Sequence, residues 1–459
     1  MQITSGLFDK MVLQRNGKNE CNALIKGEFF GSGNLTVKVA GQNDFKVKNE
    51  KYDFDGDITH FKLTLSGLPV GGPYTITFKV GEYDTVTVSD VLVGDVWILA
   101  GQSNMQGAGL LKNDTSVPIN TIRSFSNLSG TWDIAKNPLT QWEGEDLNNP
   151  MGVGPGLSFA TEMFDYYGVP QGLIPCARGG SSMDQWSPDK KDETIDFYGE
   201  TLPGFYGNML RRVLLAGGKV AGMIWHQGCN DAYSKLANFY FDKMVNFIAS
   251  IREDLHSPKL PVVIGQLSRS GGGPFGYSIF WNTVQDAQRR LPYEIKKLLM
   301  VPTIDLELDD GVHYSSKAQN VLGKRYFNAM RVLFDKSCNL TPPIQFKEAK
   351  VIKGDFGDRF VVEVSFKHVN GSLHAKGYPS GFDINYGDGP LDKYRVYKID
   401  LKGKKAFLFV GDEYGIFEKG ETMDLHYGYS IWPYCNIYDE SDNPIPVFGP
   451  IKLQINILN

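Results

Sequence analysis

An apolar run over residues 91–100, interrupted only by Gly94 and Asp95, constrains the fold of this 459-residue chain more than any other feature. A strand with apolar side chains on both faces is buried on both faces, which is typical of a parallel sheet covered by helices. The run ends at Gly101, and Ser103 follows two residues later. Because ligands of open α/β sheets bind beyond the carboxyl ends of the strands, Ser103 is predicted to lie at the functional edge of the sheet.

Two interpretations of Ser103 are open from its position alone. A serine at the start of a helix exposes its hydroxyl where backbone N–H groups favour a developing negative charge, as a nucleophile requires. A serine after a strand is also a common helix N-cap. The sequence Gly101-Gln102-Ser103-Asn104-Met105 is not a Gly-x-Ser-x-Gly nucleophile elbow, because Met105 replaces the second glycine, and this disfavours the usual α/β-hydrolase.

Between about residues 91 and 338 the chain alternates apolar runs with helical patterns. Four further runs of strand length follow the first: 172–176, 220–225, 261–265 and 298–301. Between them, apolar residues recur at helical spacing from Phe239 to Ile251, and a second helical pattern covers about 315–334. This alternation predicts an α/β domain, with a parallel sheet, right-handed crossovers and helices on both faces.

Both flanks of this region show β signals instead. Leu35–Val39 and Phe360–Phe366 have the composition of strands and are surrounded by turn residues. We therefore predict an N-terminal β-sandwich domain over 1–90, a catalytic α/β domain over 91–338 and a C-terminal β-rich domain over 339–459.

The polar segment 110–156 is too long for an ordinary connection inside the α/β domain. It contains Trp132 and Trp142 together with several prolines. We predict that it forms a functional loop.

Composition and charge exclude several classes of function. With a formal net charge of −5, a pI near 5.9 and no basic run, the chain is not predicted to bind nucleic acid or an anionic membrane. No segment is long and apolar enough to predict a membrane span. Its five cysteines form no Cys-x-x-Cys pair, so neither a disulfide framework nor a metal site is predicted. The oligomeric state is not readable from this information.

Cellular location is predicted from the first residues and from the cysteines. The N-terminus lacks the basic and apolar regions of a signal peptide. Free thiols favour a reducing compartment. We expect a cytoplasmic protein, or a secreted or periplasmic one if a signal peptide precedes residue 1.

A histidine that activates Ser103 must have an acid to orient it. Among seven histidines, His313 lies three residues after Asp310, a spacing that brings both side chains to one side of a turn. Asp57 and His60 have the same spacing, but they lie in the predicted N-terminal β domain. His313 follows the last strand of the sheet that carries Ser103, so Asp310 and His313 are the preferred pair.

Ester hydrolysis also requires hydrogen-bond donors for the oxyanion of the tetrahedral intermediate. Gly179-Gly180 follows one predicted strand, and glycine allows a backbone N–H to approach a ligand closely. Asn230 follows another, and its amide is a donor. Each of these is an ordinary turn by itself; together with Ser103 and the Asp-x-x-His they indicate an esterase.

This ordered set resembles the SGNH hydrolases, and more closely the sialate O-acetylesterases and related carbohydrate acetylesterases. The blocks that are similar to that family are 101–105, 152–160, 172–186 and 225–228, and further similarity extends into both flanks. The resemblance implies a flavodoxin-like, SGNH-type sheet and a serine esterase without metal or organic cofactor.

The resemblance also implies a role for each matched residue. Ser103 is the nucleophile, His313 the general base, and Asp310 orients the histidine. The oxyanion donors are the Ser103 N–H, the Gly180 N–H and the Asn230 side chain. One departure matters: Cys229 stands where many relatives have glutamate, so the register of Asn230, and the choice between Gly179 and Gly180, stay open.

The substrate is less well defined by the sequence than the chemistry. The first hypothesis is 9-O-acetylated sialic acid, whose carboxylate needs a cation or N–H donors, and Arg178 is the candidate cation. An arginine here is also explained by a salt bridge or by solvent. Trp186 is a candidate for stacking on a sugar or for closing the core, and Gln227 of block 225–228 is a candidate substrate contact. The alternatives are acetylated xylan or mannan, and a glycan-binding protein without catalysis.

Overall fold

The computed structural model describes residues 1–82, 84–140, 151–271, 278–353, 360–386, 396–411 and 423–453. Trp142 of the predicted loop lies outside the described residues. The chain forms two compact units. The first comprises Met1–Trp225, Phe247–Val262 and Ser315–Phe327, and the second comprises His226–Asn246, Val263–Tyr314 and Asn328–Asn459.

The N-terminal part of the first unit is built of strands, as the sequence predicts. They are β1 Gln2–Ser5, β2 Val12–Gln14, β3 Glu20–Phe30, β4 Leu35–Val39, β5 Lys46–Asp55, β6 Ile58–Pro69, β7 Gly71–Val80 and β8 Asp84–Gly101. Four of them form a sheet in the order β1-β3-β6-β5. In β6 buried residues such as Leu63 and Leu65 alternate with exposed ones, which is the pattern of a sheet with one face on a core.

Strand β8 continues without a break through the predicted domain boundary at residue 90. Its first half pairs antiparallel with β7, with Val88 opposite Ile76. From Val91 to Gly101 every residue is buried, which confirms the prediction of a strand covered on both faces. This single strand therefore connects the N-terminal β region covalently to the sheet that carries Ser103.

The remaining strands that contribute to the first unit follow in chain order. They are β9 Gly109–Leu110, β10 Ile122–Phe125, β11 Trp132–Ile134, β12 Met151–Val153, β13 Gln171–Pro175, β14 Thr194–Phe197, β15 Glu200–Pro203, β16 Gly222–His226 and β17 Val262–Gly265. Strands β10 and β11 lie in the segment predicted to be a loop, so that segment is partly sheet.

Within this unit, the strands of the central sheet have the order β11-β10-β13-β8-β16. Strand β13 runs parallel to both β8 and β10, with Leu173 opposite Trp97. Strand β11 returns antiparallel beside β10. The sheet that was predicted to be parallel is therefore mixed, because β11 pairs antiparallel with β10 and β7 pairs antiparallel with β8.

In the described ranges, six α-helices lie between the strands. They are α1 Ser103–Gln106, α2 Pro155–Tyr167, α3 Phe205–Leu215, α4 Tyr240–Asp254, α5 Ser278–Glu294 and α6 Ser316–Phe334. The two helices predicted from periodicity are α4 and α6, and both are confirmed. Helix α2 begins with a proline, whose missing N–H is unneeded there, and ends at Gly168, whose φ of 65° suits a residue without Cβ. No helix in the described part of the chain is both long and apolar enough to cross a bilayer.

The second unit contains β18 and the C-terminal strands. They are β18 Leu298–Val301, β19 Gln345–Lys353, β20 Phe360–Lys367, β21 His374–Ala375, β22 Phe382–Tyr386, β23 Val396–Lys402, β24 Lys405–Val410, β25 Met423–Tyr427, β26 Ile437–Tyr438 and β27 Phe448–Leu453. One sheet has the order β19-β20-β24-β23 and another the order β22-β25-β27. Val362, Leu408 and Leu425 belong to one apolar core that these sheets share.

Two polar contacts fix the C-terminal sheets to the α/β elements of the same unit. The buried Gln266 side chain donates to the Val447 carbonyl (2.8 Å) and accepts from the Val447 N–H (3.0 Å). The Asp286 carboxylate on α5 accepts from the Gly449 N–H at 3.1 Å. Because buried amides that satisfy both donor and acceptor are costly to separate, this part of the C-terminal region is anchored to the region that carries His313.

Candidate active site

Ser103 is the first residue of α1, immediately beyond β8. Gln102, not Ser103, is the N-cap residue, and its carbonyl accepts the N–H groups of Met105 (2.8 Å) and Gln106 (2.9 Å). The N-cap interpretation of Ser103 is therefore wrong. Its side chain is partly exposed at the carboxyl end of the strand, the position that a nucleophile requires.

The glycine pair lies beside Ser103 in the first unit. A Cβ added to Gly179 would be 3.6 Å from the Ser103 Cβ. The loop is fixed by the Arg178 N–H, which donates to the Gly101 carbonyl at 3.0 Å, and by the Ser181 hydroxyl, which donates to the Arg178 carbonyl at 2.7 Å. The two strand ends are thus hydrogen-bonded together next to the serine.

The two glycine amides are not equivalent. The Gly179 N–H donates to Gln106 Oε1 at 2.7 Å. The Gly180 N–H has no such acceptor among the described residues. Gly180 has a φ of 72°, a backbone conformation that residues with a Cβ rarely adopt. A Cβ at this position would also lie only 2.7 Å from the Tyr198 hydroxyl oxygen, so both backbone conformation and space disfavour a side chain. Gln106 was not identified from the sequence, because no spacing rule links a helix glutamine to a distant glycine.

Arg178 adjoins the glycine pair but is already partnered. Its guanidinium lies 4.0 Å from the Glu200 carboxylate and 5.2 Å from the centre of the Phe197 ring. The Arg178 side chain is 18% exposed, whereas that of Glu200 is 68% exposed. The salt bridge that the sequence left open is therefore present, and it competes with any substrate carboxylate for this cation.

Trp186 closes the core, and its prediction as a substrate contact is wrong. The residue is fully buried. Its ring packs against Phe205, Trp225 and Phe247, with centroids 5.1–6.3 Å apart. Its indole N–H donates to the Ser181 hydroxyl at 2.9 Å. A ring enclosed in this way has no face free for a sugar, so Trp186 acts by supporting the glycine loop.

We expect Trp186→Ala to lower the free energy of unfolding by about 3–5 kcal/mol, because it opens a large cavity in a closed core. Trp186→Phe should cost less, since it retains most of the ring contacts. Denaturant unfolding of both variants measures the effect. If Trp186→Ala were instead as stable as the wild type and had a raised KM, Trp186 would have to be regarded as a substrate contact after all.

In the second unit, Asp310 and His313 form the predicted pair. Asp310 Oδ2 lies 2.7 Å from His313 Nδ1. Asp310 Oδ1 accepts the backbone N–H groups of Val312 and His313, each at 2.7 Å. Three hydrogen bonds therefore hold one carboxylate against the turn that carries the histidine. By contrast, His60 pairs with Glu28 at 3.3 Å on the N-terminal sheet and not with Asp57, which supports the choice of His313.

The electrostatics of Asp310 suit an anionic partner for a histidine. Partial burial of the carboxyl raises its pKa, but hydrogen bonds from the Val312 N–H and from the ring and N–H of His313 outweigh this effect, so the net pKa is lowered. Asp310 is therefore ionised throughout the neutral range and can stabilise an imidazolium.

Gln227 and Asn230, which follow strand β16, differ in their exposure to solvent. Asn230 is partly exposed at the start of a short 3-10 helix, Asp231–Tyr233. Gln227 is fully buried: its side-chain amide donates to the Asp231 carboxylate at 2.6 Å, and its backbone carbonyl accepts from the Tyr240 hydroxyl at 2.9 Å. Its prediction as a substrate contact is wrong, because the side chain faces the interior of the unit.

Cys229 lies between Gln227 and Asn230, and its thiol is affected by the Asp310 carboxylate. Burial, together with the nearby carboxylates of Asp231 and Asp310, raises the pKa of the Cys229 thiol to about 12. The thiol is therefore neutral. The effect of Asp310 on this pKa also means that the Cys229 thiol lies near the Asp310 carboxylate within the second unit.

His226 is a second histidine near this turn that the sequence did not single out. It is fully buried, and burial lowers its pKa to about 3, so the ring is neutral. The Tyr314 hydroxyl lies 3.3 Å from His226 Nε2 and donates to Thr303 at 2.9 Å. The two histidines thus differ in kind: His226 supports the core, whereas His313 is accessible.

No group of three or more metal-ligating side chains occurs among the residues for which the structure gives positions. The five cysteines, all within the described ranges, are free thiols.

The sequence matches a known protein family over more than half of its length. Residues 93–332, more than half of the chain, match the family model described as carbohydrate esterase, sialic acid-specific acetylesterase. A probable carbohydrate esterase from Arabidopsis thaliana is 27% identical over 53% of this chain and 92% of its own length. Human sialate O-acetylesterase is 27% identical over 50% of this chain, and the match spans 48% of the human protein.

One solved structure is similar over almost the whole chain. A carbohydrate acetylesterase from Xanthomonas citri has a TM-score of 0.73, covering 97% of this chain and 98% of its own, at 21% sequence identity. At this level of identity the similarity establishes the fold, including the β-rich flanks.

Proposed function

Because the chain belongs to the sialic acid-specific acetylesterase family of carbohydrate esterases, and is thus a carboxylic ester hydrolase, we propose that it removes O-acetyl groups from carbohydrate through an acyl-enzyme on Ser103. The observation that carries the proposal is the 2.7 Å contact between Asp310 and His313 Nδ1. A carboxylate on Nδ1 fixes the tautomer and leaves Nε2 to exchange protons with the nucleophile.

The first step acylates the serine. Ser103 Oγ forms a bond to the acetyl carbonyl carbon as its proton passes to His313 Nε2. The tetrahedral intermediate collapses when the bond between the carbonyl carbon and the sugar oxygen breaks, and His313 returns the proton to that oxygen. The products are a free sugar hydroxyl and acetyl-Ser103.

The second step hydrolyses the acetyl-enzyme by the same route. His313 takes a proton from water as the water oxygen forms a bond to the acetyl carbon. The bond between that carbon and Ser103 Oγ then breaks, and His313 returns the proton to Oγ. Acetate leaves and the enzyme is restored. This sequence needs only groups that the chain supplies.

The Ser103 N–H, the Gly180 N–H and the Asn230 amide are the proposed oxyanion donors. Gly180 is preferred over Gly179, because the Gly179 N–H already donates to Gln106. The partial exposure of Asn230 supports the register in which Asn230 supplies the side-chain donor. Donors aimed at a developing oxyanion typically contribute about two to three orders of magnitude each in rate.

The first candidate substrate is 9-O-acetylated sialic acid, with Arg178 as the cation for its carboxylate. The family and the curated relatives support it. The second candidate is a neutral acetylated polysaccharide such as xylan or mannan, and the ion pair of Arg178 with Glu200 favours it, since that cation is already engaged.

Acetate release from 9-O-acetylated sialic acid, acetylated xylan and acetylated mannan tests the proposal and separates its two forms. If sialate is the substrate, Arg178→Ala should raise KM for it by about tenfold or more relative to xylan, because a charge-assisted hydrogen bond is lost. Arg211→Ala, an exposed arginine on α3, is the matched control.

Acetate release from xylan or mannan but not from sialic acid would identify the substrate as a neutral glycan. The proposed mechanism would be unaffected. Absence of acetate release from all three substrates would refute the proposal and favour the glycan-binding alternative.

A further inference from the structure

A groove of about 410 Å³ lies in the C-terminal part of the second unit, between strands of its two sheets. Asp383 on β22 and Tyr397 on β23 contribute to its lining, and the segments that precede β22 and follow β25 complete it. Its volume lies within the roughly 300–1,000 Å³ that is usual for small-molecule sites. The proposed esterase mechanism makes no use of it.

The groove exposes several large aromatic side chains. Tyr378 is 70% exposed, Tyr397 53%, Trp432 54% and Tyr434 68%. Single exposed aromatic residues are ordinary, but four that line one concavity form an unusual apolar patch and indicate a ligand. Flat rings with a polar atom at one edge suit a pyranose, which offers an apolar C–H face bordered by hydroxyl groups.

The charge of the groove fits a neutral ligand. Asp383 has no hydrogen-bond donor among the described residues, and burial raises the pKa of its carboxyl to about 6. The Lys398 ammonium, also in the lining, is bonded to Asp400 at 2.8 Å. No uncompensated cation in the described lining attracts an anion, whereas the Asp383 carboxylate offers two acceptors for sugar hydroxyls.

Trp432 connects the groove to the histidine turn within the same unit. The Arg269 guanidinium lies 5.0 Å from the centre of the Trp432 ring and donates to the Ile304 carbonyl at 2.9 Å. A Cβ added to Gly271 would lie 3.4 Å from Trp432 Cζ3 and 3.0 Å from the Cα of Gly311, the residue that follows Asp310. One wall of the groove is therefore separated from the Asp310–His313 turn by little more than the backbone of Gly271.

We propose that this groove binds neutral sugar units of a glycan chain whose acetylated unit is hydrolysed at His313, so that the enzyme recognises an oligosaccharide and not an isolated acetylated sugar. This inference rests on the proposed function, because it assigns His313 to the reaction. It holds for a neutral polysaccharide and equally for neutral sugars that precede a terminal sialic acid.

Binding without turnover tests the inference separately from catalysis. The probes are xylohexaose and mannohexaose without acetyl groups, measured by calorimetry against the wild type, Trp432→Ala, Tyr434→Ala and Phe54→Ala. We expect at least one hexaose to bind the wild type, with Kd raised about tenfold or more in the two groove variants. Phe54, 65% exposed on β5 of the first unit, is the matched control and should leave Kd unchanged.

Kinetics provide the second measurement. With acetylated oligosaccharides of increasing length, KM of the wild type should fall as the chain lengthens, and Trp432→Ala and Tyr434→Ala should remove most of that gain. An acetylated monosaccharide is the reference substrate for each variant.

The outcomes separate the two proposals. Hydrolysis without hexaose binding, and without dependence of KM on chain length, would refute sugar binding in the groove. It would leave the proposed esterase activity supported. If hexaose binding is lost in Trp432→Ala but the wild type releases no acetate, sugar binding in the groove would be supported and the proposed esterase activity would be refuted. Equal loss of binding in Phe54→Ala would mean that the effect is not specific to the groove and would overturn the inference.

Discussion

Ser103→Ala is expected to lower kcat for acetyl-ester hydrolysis by about 10⁴-fold or more, which is the largest effect that we predict. Loss of the nucleophile prevents the acyl-enzyme, and the remaining activity comes from oxyanion donors and binding alone. Acetate release from the best substrate measures it. The substitution removes one oxygen from a partly exposed side chain, so the folded state should be preserved.

Ser187→Ala is the matched control, since Ser187 is also partly exposed in the first unit and its hydroxyl contacts the exposed Asp189 carboxylate at 3.4 Å. It should retain wild-type kcat, and both variants should melt as the wild type does. If Ser103→Ala retained more than a few per cent of activity, the acyl-enzyme mechanism would have to be abandoned.

His313→Ala is expected to have a comparable effect, because Ser103 then has no base to take its proton. Residues that act as one catalytic unit are strongly non-additive, so the double variant Ser103→Ala/His313→Ala should be no slower than either single variant. Asp310→Asn should lower kcat by about 10⁴-fold, the lower end of the range expected for Ser103→Ala, since an amide no longer favours the reactive tautomer or stabilises the imidazolium.

His60→Ala is the control for histidine loss, because His60 also contacts a carboxylate but lies on the N-terminal sheet. It should leave kcat unchanged. Additive losses in the double variant of Ser103 and His313 would show that the two residues act in separate steps, contrary to the proposed mechanism.

Much of the fold was predictable from local patterns. The apolar run that became β8, the periodicity that became α4 and α6, and the β-rich flanks are all properties of short windows of sequence. The antiparallel strand β11 was not predictable in this way. Its three residues carry too little periodicity, and their pairing with β10 is decided by the sheet edge that is available.

The same distinction applies to the candidate site, where some residues could be predicted from local sequence and others could not. Ser103 and the Asp310–His313 pair were identified because their chemistry is encoded in residue type, spacing and position after a strand. Trp186 and Gln227 were misassigned, because the sequence gives a residue's chemistry but not its burial. Burial depends on side chains brought from distant segments, such as Phe247 against Trp186.

The sequence by itself therefore determined the family, the α/β plan and the residues of the proposed acyl transfer. The tertiary structure alone decided which glycine amide is already engaged, since Gln106 accepts the Gly179 N–H, and which aromatic residues are enclosed and which exposed. The physical reason is that hydrogen-bond satisfaction and burial are properties of packing between segments far apart in the chain. The aromatic groove beside the Asp310–His313 turn belongs to this second class, because its walls come from strands and loops that no local pattern connects.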